Sequence, residues 1–205
     1  QEASKKSTVL LVEDNEELRR FLTVILSDQY AILEAVNGQE GLSQVKEHAP
    51  DLIISDVMMP VMDGLDMVAR IKEDLEICHI PIVLLSSKST LDDRIKGLEY
   101  GIDDYIIKPF STTYLKTRIN SLLKQRKLLQ ERHIAAFINN KGTALDFAPS
   151  EPQITPLDAI FLKDAVRFVE ENIDKTEMTI DDFANALKVS RTVFYRKLKT
   201  IVGLS

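Results

Sequence analysis

The chain has 205 residues, 44% hydrophobic and 28% charged, with a formal net charge of −6. This is ordinary globular composition for one large or two small domains, which excludes a disordered or fibrous chain. The acidic balance speaks against wholesale nucleic-acid binding but leaves room for a small basic module attached to an acidic one.

No apolar run approaches the roughly 18 residues of a membrane span. The polar stretch Gln1–Ser7 has no apolar core after it, so no signal peptide is expected. A lone cysteine, Cys78, makes no internal disulfide and fits a reducing, cytoplasmic compartment. A start on Gln fits a piece excised from a longer chain.

In chain order, Val9–Val12, Ala31–Leu33, Leu52–Ser55, Ile82–Leu85 and Tyr105–Ile107 are short apolar runs. Such runs suit strands buried on both faces of a parallel sheet. Helical patterns lie between them. Asn15 can cap a helix bearing Leu18, Phe21, Leu22, Ile25 and Leu26. Asn37-Gly38 opens a second with Gly41, Leu42 and Val45, and Gly64 precedes a third with Leu65, Val68 and Ile71. Thr90 precedes a fourth with Leu91, Ile95 and Leu98, closed by Gly101. This alternation predicts an α/β fold, a doubly wound five-stranded parallel sheet of the flavodoxin-like kind.

Beyond Ser111, a stripe of Leu115, Ile119, Leu122, Leu123 and Leu129 predicts a last helix projecting past its domain. Residues 139–156, with Gly142, Pro149, Pro152 and Pro156, read as a flexible linker. Three short helical patterns follow. The first spans Leu157–Ile173, the second starts at Thr179 with Asp181 and Asp182 in its first turn, and the third is capped by Ser190. The expected division is a first domain at 1–126, a linker at 127–155 and a small all-α tail at 156–205.

Glu13 and Asp14 end the first predicted strand and Asp56 the third. Neighbouring strands would bring these acids into one crevice, where crowded carboxylates call for protonation or a hard cation. Mg²⁺ suits such a site because it takes oxygen ligands and leaves room for phosphate oxygens. Lys108 after the fifth strand adds an ammonium and Ser86 after the fourth a hydroxyl. Together these make a phosphoryl-transfer site. Singly, each has a bland alternative: an acidic pair can be a helix cap, and Asp56 before Val57-Met58-Met59-Pro60 can start a turn.

The segments Val12-Glu13-Asp14-Asn15, Ser55–Gly64 and Ile107-Lys108-Pro109-Phe110 resemble the signatures of two-component response-regulator receiver domains, over Ser7 to Arg126. The resemblance implies that Asp56 takes a phosphoryl group from a phosphohistidine on a histidine kinase. It implies Mg²⁺ held by Asp14, Asp56 and the Met58 carbonyl, with Glu13 acting mostly through a coordinated water. Lys108 would meet a phosphoryl oxygen, and the Lys108-Pro109 bond would be cis. Ser86 and Tyr105 would switch together and move the face made by the fourth helix, fifth strand and fifth helix. Homodimers through that face would use Asp103, Asp104 and Arg118. Glu at the first acidic position and Ser at 86 are departures from the commonest pattern, and Lys88 could screen the pocket.

In the tail, Lys188, Arg191, Arg196, Lys197 and Lys199 follow the last acid. A basic helix after a short helix and a tight turn has the geometry of a major-groove reader. Arg191, Thr192 and Tyr195 would face bases, and Arg196 and Lys197 phosphates. A solvated basic face is the bland alternative. Thr179–Ala184 and Ser190–Lys199, ending in Gly203-Leu204-Ser205, resemble the first helix-turn-helix of AraC-type DNA-binding domains, over Thr155 to Ser205. That family carries two such units, so the resemblance covers about half of the domain. Receiver, linker and AraC-type module in this order resemble the C-terminal end of hybrid two-component sensor kinases. This implies DNA and a histidine kinase as partners, at the cytoplasmic end of an inner-membrane protein. A separate response regulator is the alternative for the parent chain.

A phosphorelay shuttle whose tail only mediates assembly is a second functional reading. A phosphohydrolase is a third, but enzymes resembling the haloacid-dehalogenase class need an acid where Met58 stands. His48, His79, His133 and Cys78 lack convincing metal spacing, and no phosphate-binding glycine loop is present.

Overall fold

The computed structural model describes residues 6–87, 101–139, 155–172 and 179–202. The chain divides into two compact units, Gln1–Leu123 and Lys124–Ser205.

In the first unit the strands are β1 (Thr8–Val12), β2 (Ala31–Ala35), β3 (Leu52–Asp56), β4 (Ile82–Ser86) and β5 (Asp104–Ile107). The helices are α1 (Glu16–Leu26), α2 (Gly38–His48), α3 (Gly64–Glu73) and α4 (Thr112–Asn139), the last running past the boundary between the units. All strand pairs are parallel, in the order β2-β1-β3-β4-β5. The expected flavodoxin-like sheet is therefore the observed one.

Alternate strand residues feed two cores, as a sheet covered on both faces requires. Leu10, Val12, Ile53, Ile82 and Leu84 pack with Val45, Met67, Val68 and Ile71 of α2 and α3. Val9, Leu11, Ile54, Val83 and Leu85 pack with Leu22, Leu26, Leu115 and Ile119 of α1 and α4.

Local capping sets the helix starts. The Asn15 side chain accepts from the Leu18 amide and that of Asn37 from the Glu40 amide. Gly64, expected to precede its helix, is the first helical residue. The cap is Asp63, whose carboxylate accepts from the Asp66 amide. The fourth helix expected from Thr90, with Lys88 before it, lies outside the described residues, as does most of the expected linker.

The second unit holds the end of α4 and helices α5 (Pro156–Asn172), α6 (Ile180–Ala186) and α7 (Arg191–Val202). Phe183 stacks on Phe168 at 4.9 Å and meets Phe194 at 4.7 Å, so aromatic rings join the three helices. Thr179 and Asp182 form a reciprocal capping box on α6. The turn to α7 places Lys188 at φ 55°, and the Val193 amide donates to the Ser190 hydroxyl that caps α7. Among the described residues, no helix is long and apolar enough to cross a membrane.

Candidate functional site

The β-strand order reverses between β1 and β3, and ligands of doubly wound sheets bind beyond the carboxyl ends of the strands at that point. Glu13, Asp14 and Asp56 stand there. One carboxylate oxygen from each lies within 4.8 Å of the others. Lys108 reaches in from the end of β5, its Nζ 2.8 Å from Glu13 Oε2 and 3.0 Å from Asp56 Oδ2.

Backbone amides hold the acids. Asp56 Oδ1 accepts from the Val57 amide at 2.7 Å, and Glu13 Oε1 accepts from the Asn15 amide at 3.3 Å. The Glu13 amide in turn donates to the Ala35 carbonyl of β2 at 3.1 Å. Gly64 closes the loop after Asp56: a Cβ there would lie 2.1 Å from the Asp56 carbonyl oxygen. Between them, Val61 sits at φ 71° and the Met62 amide donates back to Pro60, a tight three-residue turn.

Glu13 is only 1% exposed, and burial pushes its carboxyl above the ordinary value, against the lowering effect of the hydrogen bond from Lys108. For Lys108, burial acts downward, but hydrogen bonds and charge from Glu13 and Asp56 together raise it above its usual value. The donor set is all hard oxygen, three carboxylates around one small space, and it fits Mg²⁺ better than a thiolate- or imidazole-seeking metal.

The other expected site residues fall as follows. Met58, whose carbonyl is an expected ligand, is on the β3–α3 loop and 62% exposed. Ser86 ends β4 almost fully buried, and its carbonyl accepts from the Lys108 amide at 2.7 Å. Tyr105 is buried beside Leu84 in the sheet core and lines a shallow cavity with Ile107, Phe110 and Tyr114. The Lys108-Pro109 bond is cis.

Four of the expected residues have partners within the chain. The Arg118 Nε donates to Asp104 Oδ2 at 2.5 Å. Asp103 is occupied too, accepting from the Ile82 amide at 2.8 Å with Lys72 Nζ 3.6 Å away. Lys197 does not face outward as a phosphate contact. Its ammonium is buried and paired with Asp158, whose other oxygen accepts from the Thr155 hydroxyl. Arg191, Thr192, Tyr195 and Arg196 are exposed, with the Arg191 guanidinium 5.8 Å from the Tyr195 ring centre and 3.6 Å from Asp181.

A residue the sequence did not single out completes the site's back wall. Arg19, on α1, donates from Nη1 to the Glu13 carbonyl at 2.8 Å. Its position one turn into a helix carries no local signal beyond its charge.

A parallel sheet of this order, with a carboxylate trio and an ammonium at its switch point, defines the signalling receivers of phosphotransfer systems. The family model for the response regulator receiver domain matches residues 9–120, and the chain belongs to that family, a module of two-component systems. The chain is 42% identical over 195 residues to Histidine kinase P4 of Formosa agariphila, a match covering 95% of this chain and 14% of that protein. It is 42% identical over 125 residues to Hybrid signal transduction histidine kinase D of Dictyostelium discoideum, covering 61% and 8%. It thus spans a small part of the length of these relatives. Response regulator ArlR of Staphylococcus aureus is 34% identical over 158 residues, 75% of this chain and 71% of that one. Among solved structures, the receiver domain of a signal transduction histidine kinase from Syntrophus aciditrophicus superposes with a TM-score of 0.56 at 32% identity, covering 69% of this chain and 99% of that one.

Proposed function

We propose that the chain accepts a phosphoryl group on Asp56 from a phosphohistidine of a histidine kinase and uses the new charge to control a DNA-reading tail. The observation that carries this is the placement of Lys108 Nζ at 3.0 Å from Asp56 Oδ2, beside the converging Glu13 and Asp14 carboxylates. An Asp56 oxygen attacks phosphorus, an O–P bond forms, and the P–N bond breaks. The imidazole nitrogen leaves with the electron pair, and the product is an acyl phosphate.

Asp14, Asp56 and the Met58 carbonyl would hold Mg²⁺, with Glu13 acting through water; when bound, the ion would offset the crowding of negative charge. Lys108 holds a phosphoryl oxygen. The hydroxyl of Ser86 and the ring of Tyr105 respond to an added charge of about −2, a local event that biases a two-state face. Homodimerisation through the face made by the expected fourth helix, β5 and α4 is part of this proposal.

The similarity to a named histidine kinase over nearly the whole chain supports a role as the receiver segment of a hybrid sensor, on its cytoplasmic side. α6 and α7 would act as a helix-turn-helix, with Arg191, Thr192 and Tyr195 toward bases and Arg196 toward phosphate. The burial of Lys197 favours a second reading, a phosphorelay shuttle whose tail only mediates assembly.

One experiment separates these readings. Incubation with a small phosphodonor and Mg²⁺ is expected to label the wild-type chain, and Asp56→Ala not at all. Labelling of Asp56→Ala at wild-type level would sink the site. In parallel, duplex DNA binding is expected to weaken in Arg196→Ala, with a shallower salt dependence. Absence of DNA binding even at low salt, in a chain extended beyond Ser205, would favour the shuttle.

A further inference from the structure

We propose that Arg19 is a positioning residue for the acidic pair Glu13-Asp14, setting the aim of both carboxylates at the cation they hold. The inference rests on the reading of Glu13, Asp14 and Asp56 as a Mg²⁺ site. The Arg19 side chain is 14% exposed although it is charged and lies on the first turns of a surface helix. Such burial of a guanidinium requires that its donors be met.

They are met by two different structures. On one side Nη1 donates to the Glu13 carbonyl at 2.8 Å, with a longer contact to the Asp14 carbonyl at 3.5 Å. On the other, Nε donates to Glu34 Oε2 on β2 at 3.2 Å. The second oxygen of Glu34 accepts from the Thr23 hydroxyl, one turn further along α1, at 2.9 Å. Thr23 therefore orients Glu34, Glu34 orients the flat guanidinium, and the guanidinium fixes the peptide units that carry the acids.

The backbone at Glu13 is already tied on its amide side to Ala35. With the carbonyl side tied to Arg19, the peptide planes on both sides of Glu13 are fixed. The direction of a carboxylate follows its Cα–Cβ bond, so fixing those planes aims it. Outer-shell groups of this kind commonly alter metal affinity by about 10- to 100-fold when removed.

The sign of the effect distinguishes positioning from simple charge. Arg19 is a cation close to a cation site, so its field opposes Mg²⁺, and its removal by field alone would tighten binding. Positioning predicts the opposite. The double variant Arg19→Met/Glu34→Gln removes one charge of each sign and nearly cancels the field, leaving only the lost alignment.

The test measures Mn²⁺ binding by loss of the free-ion electron paramagnetic resonance signal, and the Mg²⁺ dependence of labelling by a small phosphodonor, on the full chain. In both Arg19→Met and the double variant, half-saturating metal is expected to rise about 10-fold. Labelling at saturating Mg²⁺ stays near wild type, and Arg19→Lys recovers part of the loss. Leu26→Ala, which empties a buried position on the same helix, lowers the melting temperature without moving the metal midpoint. If Arg19→Met does not fold, the double variant decides. Unchanged or tighter binding in the double variant overturns the proposal. Failure of the wild-type chain to bind Mn²⁺ or to label would instead overturn the metal-site reading on which it rests.

Discussion

Glu13, Asp56 and Lys108 form a chain of alternating charge in which one ammonium serves two carboxylates. Lys108 Nζ sits 2.8 Å from Glu13 and 3.0 Å from Asp56, and the Asp56 charge adds to the cost of ionising Glu13. Burial is the largest influence on Glu13 and lifts its carboxyl above the ordinary 4.5. A carboxyl with a raised folded-state value holds its proton more readily in the native protein than in the unfolded chain. Its ionised form therefore costs stability at neutral pH, and that cost is removed as pH falls through the folded value. Lys108 runs the other way: its raised value contributes stability that is complete below about 10.5 and is lost as pH rises through the folded value. A cation at the carboxylates competes with the proton on Glu13. Mn²⁺ affinity is accordingly expected to decline at a pH above 4.5, before ordinary carboxylates titrate. In Glu13→Gln that decline is expected to disappear, leaving a weaker site. Resonance-monitored Mn²⁺ titrations from pH 7.5 down to about 4.5 measure this, and coincident profiles for the two proteins would contradict it.

The elements of this fold are tied together by ion pairs as well as by apolar cores, and α7 shows the consequence most clearly. Lys197 is 1% exposed and Asp158, on α5, is 3% exposed. Their pairing holds two helices of the second unit beside the Phe161–Phe194 contact at 6.3 Å. Removing one member of such a pair leaves a buried charge alone, at a cost of about 3–5 kcal/mol, whereas replacing both by apolar groups is often neutral. Lys197→Met is expected to lower the helical melting transition of the tail strongly, and Asp158→Leu/Lys197→Met to recover most of the loss, as followed by circular dichroism. A Lys197→Met protein as stable as wild type would contradict the pairing.

The same residue marks where sequence stops being informative. Helix starts at Asn15, Asn37, Thr179 and Ser190 are legible because a capping side chain bonds an amide only a few residues on. The acidic trio was legible because strand ends in a doubly wound sheet converge. The direction of Lys197 is not legible because its partner lies on another helix, and a basic residue in a basic helix looks the same whether it turns inward or outward. Asp63 is the cap next to Gly64, whose lack of a Cβ serves a contact the sequence does not show, the close approach to the Asp56 carbonyl.

At the scale of the whole molecule, the Asp104–Arg118 pair bears on how one copy would meet another. The two groups are 17% and 33% exposed and bonded to each other, and Asp104 holds the Arg118 guanidinium above its ordinary value. A bridge between copies would have to break this bond and remake it across the interface, so its net contribution to association is small, however good the new geometry. Charge reversal distinguishes the two arrangements. Asp104→Arg and Arg118→Asp each leave two like charges in contact, and each is expected to cost on the order of 2 kcal/mol, read as a lowered unfolding midpoint. Placing both reversals in one chain restores opposite charges within it and is expected to restore the midpoint. Mixing the two single variants restores nothing if the pair is internal, because each chain keeps its own mismatch. If the bond instead joins copies, the mixture regains a dimer by sedimentation in the presence of beryllofluoride, while each single variant alone stays monomeric. The 2.5 Å bond within the chain supports the first outcome.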